Sequence, residues 1–167
     1  WDQIKSSIIP ISKNLKWINL GGGHHITRED YELDKFKSFL KKIGEETSCQ
    51  IYIEPGEAVV LDSAILIGEI VDFFKPNNDL SPHMAITDIS ATSHIPDVIE
   101  APYRPALLNE AKEGYEVILG GPSCLAGDVI GKYKFKKLPL IGDRIALLDQ
   151  AHYTMVKTSF FNGVKLP

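Results

Sequence analysis

The sequence predicts an α/β segment followed by a mainly antiparallel β domain, and three observations carry that reading. Trp17-Ile18-Asn19-Leu20 is a short apolar run that stops at Gly21-Gly22-Gly23, as a buried strand feeding a loop does. Leu33, Phe36, Leu40 and Ile43 then recur at helical spacing, and Cys49 to Ile53 gives a second short run ending at Glu54-Pro55-Gly56. From Ala58 onward the texture changes to β-branched and aliphatic runs divided by Pro, Asn and Gly clusters, with no comparable helix.

Taken in order, the chain opens at Trp1 without Met, in an amphipathic run that reads as the tail of a helix, so a fragment of a longer protein is expected. The first third then reads strand, loop, helix, strand, loop. Thr27 is the expected N-cap, Glu29 and Asp30 occupy the first turn, and Gly44 marks the end of the helix. That succession is the β/α unit of a parallel sheet or barrel, where ligands gather at strand C-termini. In the remainder the expected strands are 64–74, 84–89, 115–119, 144–148 and 153–160, bounded by Pro76-Asn77-Asn78, Gly120-Gly121-Pro122 and Gly142-Asp143. The boundary falls between residues 57 and 58, and the absence of a Gly/Ser-rich linker predicts two parts packed together.

Composition narrows the function. In 167 residues, 44% hydrophobic content is ample for a core, and a net charge of −4 gives no basic field to hold a polyanion. Nucleic acid is therefore not the expected partner. No apolar run approaches the roughly 20 residues that cross a bilayer, and the first residues lack signal-peptide order. A cytoplasmic location is expected, although an upstream segment could carry a signal. Cys49 and Cys124 have no ligand-like spacing, so neither a disulfide framework nor a metal site is expected, and a reducing compartment fits.

Four places bear chemistry. The triple glycine, followed by His24-His25, offers N–H groups without side-chain obstruction, suited to a phosphate; an ordinary tight turn is the alternative. The adjacent histidines fit solvated loop residues better than metal ligands. Glu54 ends an apolar strand, where a carboxylate either meets a cation such as a pyridinium nitrogen or is simply a solvated turn residue. Cys124, in Gly120-Gly121-Pro122-Ser123-Cys124-Leu125-Ala126-Gly127-Asp128, is a proton donor or nucleophile if accessible and a structural thiol if buried. Tyr153 either offers its phenol to a phosphate or packs a strand end.

The succession INLGGGHHIT, YIEPGEAVV, ITDISATSHIPDVIEAPYRP, LGGPSCLAGDVIG and DQAHYTMVKTSFFNG resembles the carboxynorspermidine decarboxylases, within the fold of alanine racemase and the ornithine and diaminopimelate decarboxylases. The resemblance runs from about Trp17 to Gly163. It implies that residues 1–57 are the last segments of a (β/α)8 barrel that binds pyridoxal 5'-phosphate, and 58–167 most of the C-terminal β domain. It also implies that Gly21, Gly22, Gly23 and Gly56 receive the cofactor phosphate, that Tyr153 touches it, and that Glu54 pairs with the pyridine nitrogen. Cys124 is implied as the catalytic thiol. Asp97, Asp88 and Asp128 are implied candidates for substrate binding.

Two positions depart from the relatives: Glu57 stands where an arginine follows the glycine, and Leu125 where an acidic residue follows the thiol. The implied reaction is loss of the α-carboxylate from carboxynorspermidine or carboxyspermidine in polyamine biosynthesis, by a homodimer with shared sites. The lysine that forms the Schiff base belongs upstream of Trp1, so the 167 residues alone are expected to be inactive. The alternatives are a diaminopimelate or ornithine decarboxylase, a racemase, or a decarboxylase-like binding protein without activity.

Overall fold

The computed structural model describes residues 1–77 and 81–165 and divides into two compact units, Trp1–Leu61 and Asp62–Pro167. Asn78, expected in a turn, lies outside the described residues.

In the first unit, helix α1 (Lys5–Ser12) precedes β1 (Trp17–Asn19), α2 (Leu33–Thr47), β2 (Gln50–Tyr52) and the short α3 (Glu57–Val60). Strands β1 and β2 are parallel neighbours in register, Trp17 opposite Gln50 and Asn19 opposite Tyr52, with α2 as the crossover between them. The apolar repeat buries Ile43 fully, while Phe36 and Leu40 are half-buried. Two helix boundaries differ from expectation. Thr27 does not cap α2, because its hydroxyl donates to the Ala58 carbonyl at 2.6 Å, and residues 26–31 form turns that delay the helix until Leu33. Gly44 does not end it either: α2 continues to Thr47, and the left-handed residue that terminates it is Ser48, at φ 56°. Cys49 is buried, its thiol facing the carbonyls of Ser12, Leu15 and Thr47.

The second unit is built on a five-stranded sheet ordered β6-β5-β4-β3-β7, comprising β3 (Leu66–Phe74), β4 (His83–Thr87), β5 (Tyr115–Gly120), β6 (Val129–Phe135) and β7 (Arg144–Leu147). All neighbours are antiparallel except β4 and β5. A parallel pair needs a long crossover. Residues 88–114 supply it, including α4 (Asp97–Glu100). Ile70, Ala85, Ile89, Ile95, Val117, Leu119 and Leu147 are wholly buried in the core. Gly68 on β3 belongs to that packing, since a Cβ there would stand 2.2 Å from Ile89 Cδ1.

Two corrections fall on this unit. Strand β6 is additional to the expected set; Gly131 and a register shift beside Gly120 interrupt its apolar alternation. The expected strand at 153–160 is instead the helical turn α5 (Tyr153–Val156) with a 3-10 turn at Phe161–Gly163. Its polar member Thr154 is the buried one, donating to Gln150 Oε1 at 2.9 Å, while Tyr153, Met155 and Val156 face outward. Hydrogen bonding within the turn overrides the β propensity of the run.

Candidate functional site

In the first unit the glycine turn and Glu54 are neighbours because parallel strands end on the same side. Leu20 N–H donates to the Tyr52 carbonyl and Glu54 N–H to the Gly21 carbonyl at 2.8 Å, which continues the pairing past both strand ends. Asn19 completes the link: its Nδ2 donates to Glu54 Oε1, and its Oδ1 accepts from Gly21 N–H at 2.8 Å. Asn19 was not singled out in the sequence. Asn19 is exposed, and its role rests on these two hydrogen bonds rather than on burial.

The three glycines have different reasons to be glycine. Gly21 and Gly23 adopt φ of +75° and +80°, and space is open where their Cβ atoms would stand. Gly22 is approached by the chain itself, since a Cβ would lie 2.7 Å from the Glu54 carbonyl oxygen. Gly56 also faces open space. Glu57, at the departing position, begins α3 and lies 3.8 Å from His25 Nδ1.

In the second unit the decisive feature is again parallel pairing. β4 and β5 run side by side in the same direction, so the segment leaving β4 at Asp88 and the loop leaving β5 at Gly121 emerge at one end of the sheet. That loop, 121–128, carries Cys124, whose thiol is exposed. Asn162 Nδ2, unmarked in the sequence, reaches Cys124 Sγ. Asp128 is buried, and its carboxylate accepts from Ser90 Oγ and the backbone N–H groups of Ala91 and Ser123 at 2.6–3.1 Å.

Asp88 is exposed, accepts from Glu69 N–H at 2.7 Å, and lines a cleft of about 420 Å³ with Val71, Pro122, Asn162 and Val164. Cys124 and Asp88 thus share Asn162 as a neighbour. Asp97 belongs to a different group. It begins α4 and lies 4.0 Å from Lys157 Nζ, which also pairs with Glu100 and sits 5.9 Å above the Tyr153 ring. The Glu100 carboxylate accepting from Lys157 raises the lysine's pKa, so that amine is held as a cation. Leu125 is exposed beside the thiol.

Residues 31–151 match the family described as pyridoxal-dependent decarboxylase, C-terminal sheet domain. The chain belongs to that family. Within the pyridoxal-dependent decarboxylases it is 40% identical over 167 residues to a carboxynorspermidine/carboxyspermidine decarboxylase of Campylobacter jejuni, covering 92% of this chain and 43% of the relative. It is 37% identical over 159 residues to a carboxyaminopropylagmatine decarboxylase of a Synechocystis species, covering 92% and 40%. The crystal structure of carboxynorspermidine decarboxylase complexed with norspermidine, from Campylobacter jejuni, superposes with a TM-score of 0.84 at 36% identity, over 99% of this chain and 48% of that one. The chain therefore spans less than half the length of these decarboxylases. The expected mixed α/β segment with a mainly antiparallel sheet is the architecture of this family. Among the described residues no helix is long and apolar enough to cross a membrane.

Proposed function

We propose that this chain is part of a pyridoxal-phosphate-dependent decarboxylase that converts carboxynorspermidine or carboxyspermidine to norspermidine or spermidine. The observation that carries the reading is the 40% identity to a decarboxylase of those two substrates across nearly the whole chain. The glycine turn fits the cofactor's phosphate, since open space at Gly21, Gly23 and Gly56 admits an anion close to the backbone.

When bound, pyridoxal phosphate supplies an electron sink for the electrons left by departing carbon dioxide. Glu54, oriented by Asn19, holds the proton on the pyridine nitrogen, and Tyr153 donates its phenol proton to a phosphate oxygen. Cys124 Sγ–H delivers a proton to the carbon that carbon dioxide has left. Asp88, in its cleft beside Asn162, and Asp97 are the carboxylates for the substrate's distal ammonium groups. The working enzyme is a homodimer in which the Cys124 loop serves the partner's site, a geometry that two-fold pairing makes reciprocal. Residues 1–57 are the end of the cofactor-binding barrel and 58–167 the β domain, in a cytoplasmic protein of polyamine biosynthesis.

A second reading is favoured by the 37% identity to the carboxyaminopropylagmatine enzyme, whose substrate ends in a guanidinium. One assay separates the readings. The complete protein with added cofactor is expected to release carbon dioxide from carboxynorspermidine or carboxyspermidine, with carboxyaminopropylagmatine, diaminopimelate and ornithine poorer by at least about tenfold. Cys124→Ala is expected to keep the cofactor's absorbance while turnover falls on the order of 100-fold. Equal loss of cofactor and turnover would give the thiol a structural role, and a better rate with the guanidino substrate would favour the second reading.

A further inference from the structure

We infer that Asp128 is a positioning residue for Cys124, acting on the thiol through the backbone rather than on substrate; the inference rests on the decarboxylase reading above. Asp128 is 4% exposed, and its carboxylate is fully engaged. Oδ1 accepts from Ala91 N–H at 2.6 Å and Thr92 N–H at 3.4 Å, and Oδ2 from Ser90 Oγ at 2.9 Å and Ser123 N–H at 3.1 Å. A carboxylate offers about four lone-pair sites, so nothing is left for a substrate ammonium.

Those four donors come from two segments. Ser123 immediately precedes Cys124 in the loop 121–128, whose base is closed by Gly121 N–H on the Asp128 carbonyl at 2.8 Å. Ser90, Ala91 and Thr92 belong to the turn leaving β4, which is itself fixed. Ser90, Ser93 and His94 are buried, and His94 Nδ1 accepts from Ser90 N–H at 2.9 Å. With Nδ1 accepting, the imidazole proton is on Nε2, which donates to the Lys165 carbonyl at 2.7 Å. Asp128 therefore fastens the thiol's loop to a rigid turn. Gly121 belongs to the same device: a Cβ there would stand 2.4 Å from Asp128 Oδ2, so only glycine leaves room for the carboxylate.

Charge-assisted hydrogen bonds of this kind are strong, and a thiol displaced by about 1 Å can cost on the order of 100-fold in rate. Asp128→Asn keeps the shape but sets an amide NH2 against donors. In the complete protein with cofactor and carboxynorspermidine or carboxyspermidine, it is expected to lower kcat about 10–100-fold, with KM and cofactor absorbance nearly unchanged. In a Cys124→Ala background the same change is expected to add less than about twofold, because residues that act through one another are not additive.

A readout independent of turnover is the rate at which iodoacetamide alkylates Cys124, followed on the tryptic peptide 113–132; it is expected to change several-fold in Asp128→Asn. Ser90→Ala, which removes one donor and is gentler on folding, is expected to shift that rate in the same direction by less. An unchanged alkylation rate in both variants, a full multiplicative loss in the Cys124→Ala background, or a rise in KM alone would overturn the inference. Should wild-type protein decarboxylate none of the substrates, the reading of function falls, while the alkylation comparison still decides the role of Asp128.

Discussion

In the glycine turn, Gly22 is the residue held to glycine by its surroundings rather than by its own backbone angles. Its neighbours Gly21 and Gly23 need positive φ, whereas Gly22 needs room, because the Glu54 carbonyl passes where a Cβ would be. The carbonyl has little freedom to retreat, since Glu54 is tied at its N–H to Gly21 and at its carboxylate to Asn19. Gly22→Ala is expected to cost about 1–3 kcal/mol by overpacking and to weaken cofactor retention, read by denaturant unfolding and cofactor titration. Gly23→Ala, strained by its φ but free of contacts, is expected to cost about 1–2 kcal/mol without displacing Glu54. If Gly23→Ala lost more cofactor than Gly22→Ala, the ranking would fail.

Among the elements, β6 has a buried phenol as its anchor. Tyr133 is 1% exposed, donates its hydroxyl proton to the Pro105 carbonyl at 2.9 Å, and has Arg104 stacked 4.2 Å from its ring. Burial pushes its pKa up to about 12, against a smaller opposing pull from Arg104. The native state therefore keeps the phenol proton after the unfolded chain has released it. The associated stability is complete below the ordinary tyrosine pKa of about 10 and is lost as pH rises toward 12. Tyr133→Phe is expected to cost about 1 kcal/mol at neutral pH through the missing hydrogen bond. Between pH 10 and 12 its stability should fall less steeply than that of the wild type, in urea unfolding at matched ionic strength; parallel slopes would refute the assignment.

For the whole molecule, the 167 residues alone are expected to release no carbon dioxide from carboxynorspermidine, on the proposal that the lysine holding the cofactor is not among them. Lys157 is no substitute: it is held as a cation by Glu100 and lies near Asp97. Product formation by the isolated chain, followed by carbon dioxide release with added cofactor, would refute this.

Much of the fold was legible in the sequence because its signals are local. Short apolar runs ending at glycine placed β1 and β2, the helical repeat placed the body of α2, and β-branched runs placed β3, β4, β5 and β7. Taken singly, the glycine turn, Glu54 and Cys124 each had an ordinary structural reading, and it was their order along the chain that resembled a cofactor and substrate site. Contacts made outside each run decided the rest, some of them long-range and some with near neighbours in the chain. The partner of the Thr27 hydroxyl lies at Ala58, the packing of Gly44 involves Cys49 and Ile51, and the turn at Tyr153 depends on a bond from Thr154 to Gln150. Asn19 looks like an ordinary polar residue, and Asp128 like a candidate substrate ligand, until the strands that carry or flank them are paired. Chain order specifies which groups are present, but a hydrogen bond between residues 37 positions apart, as from Ala91 to Asp128, exists only once two parallel strands have delivered both to one end of a sheet.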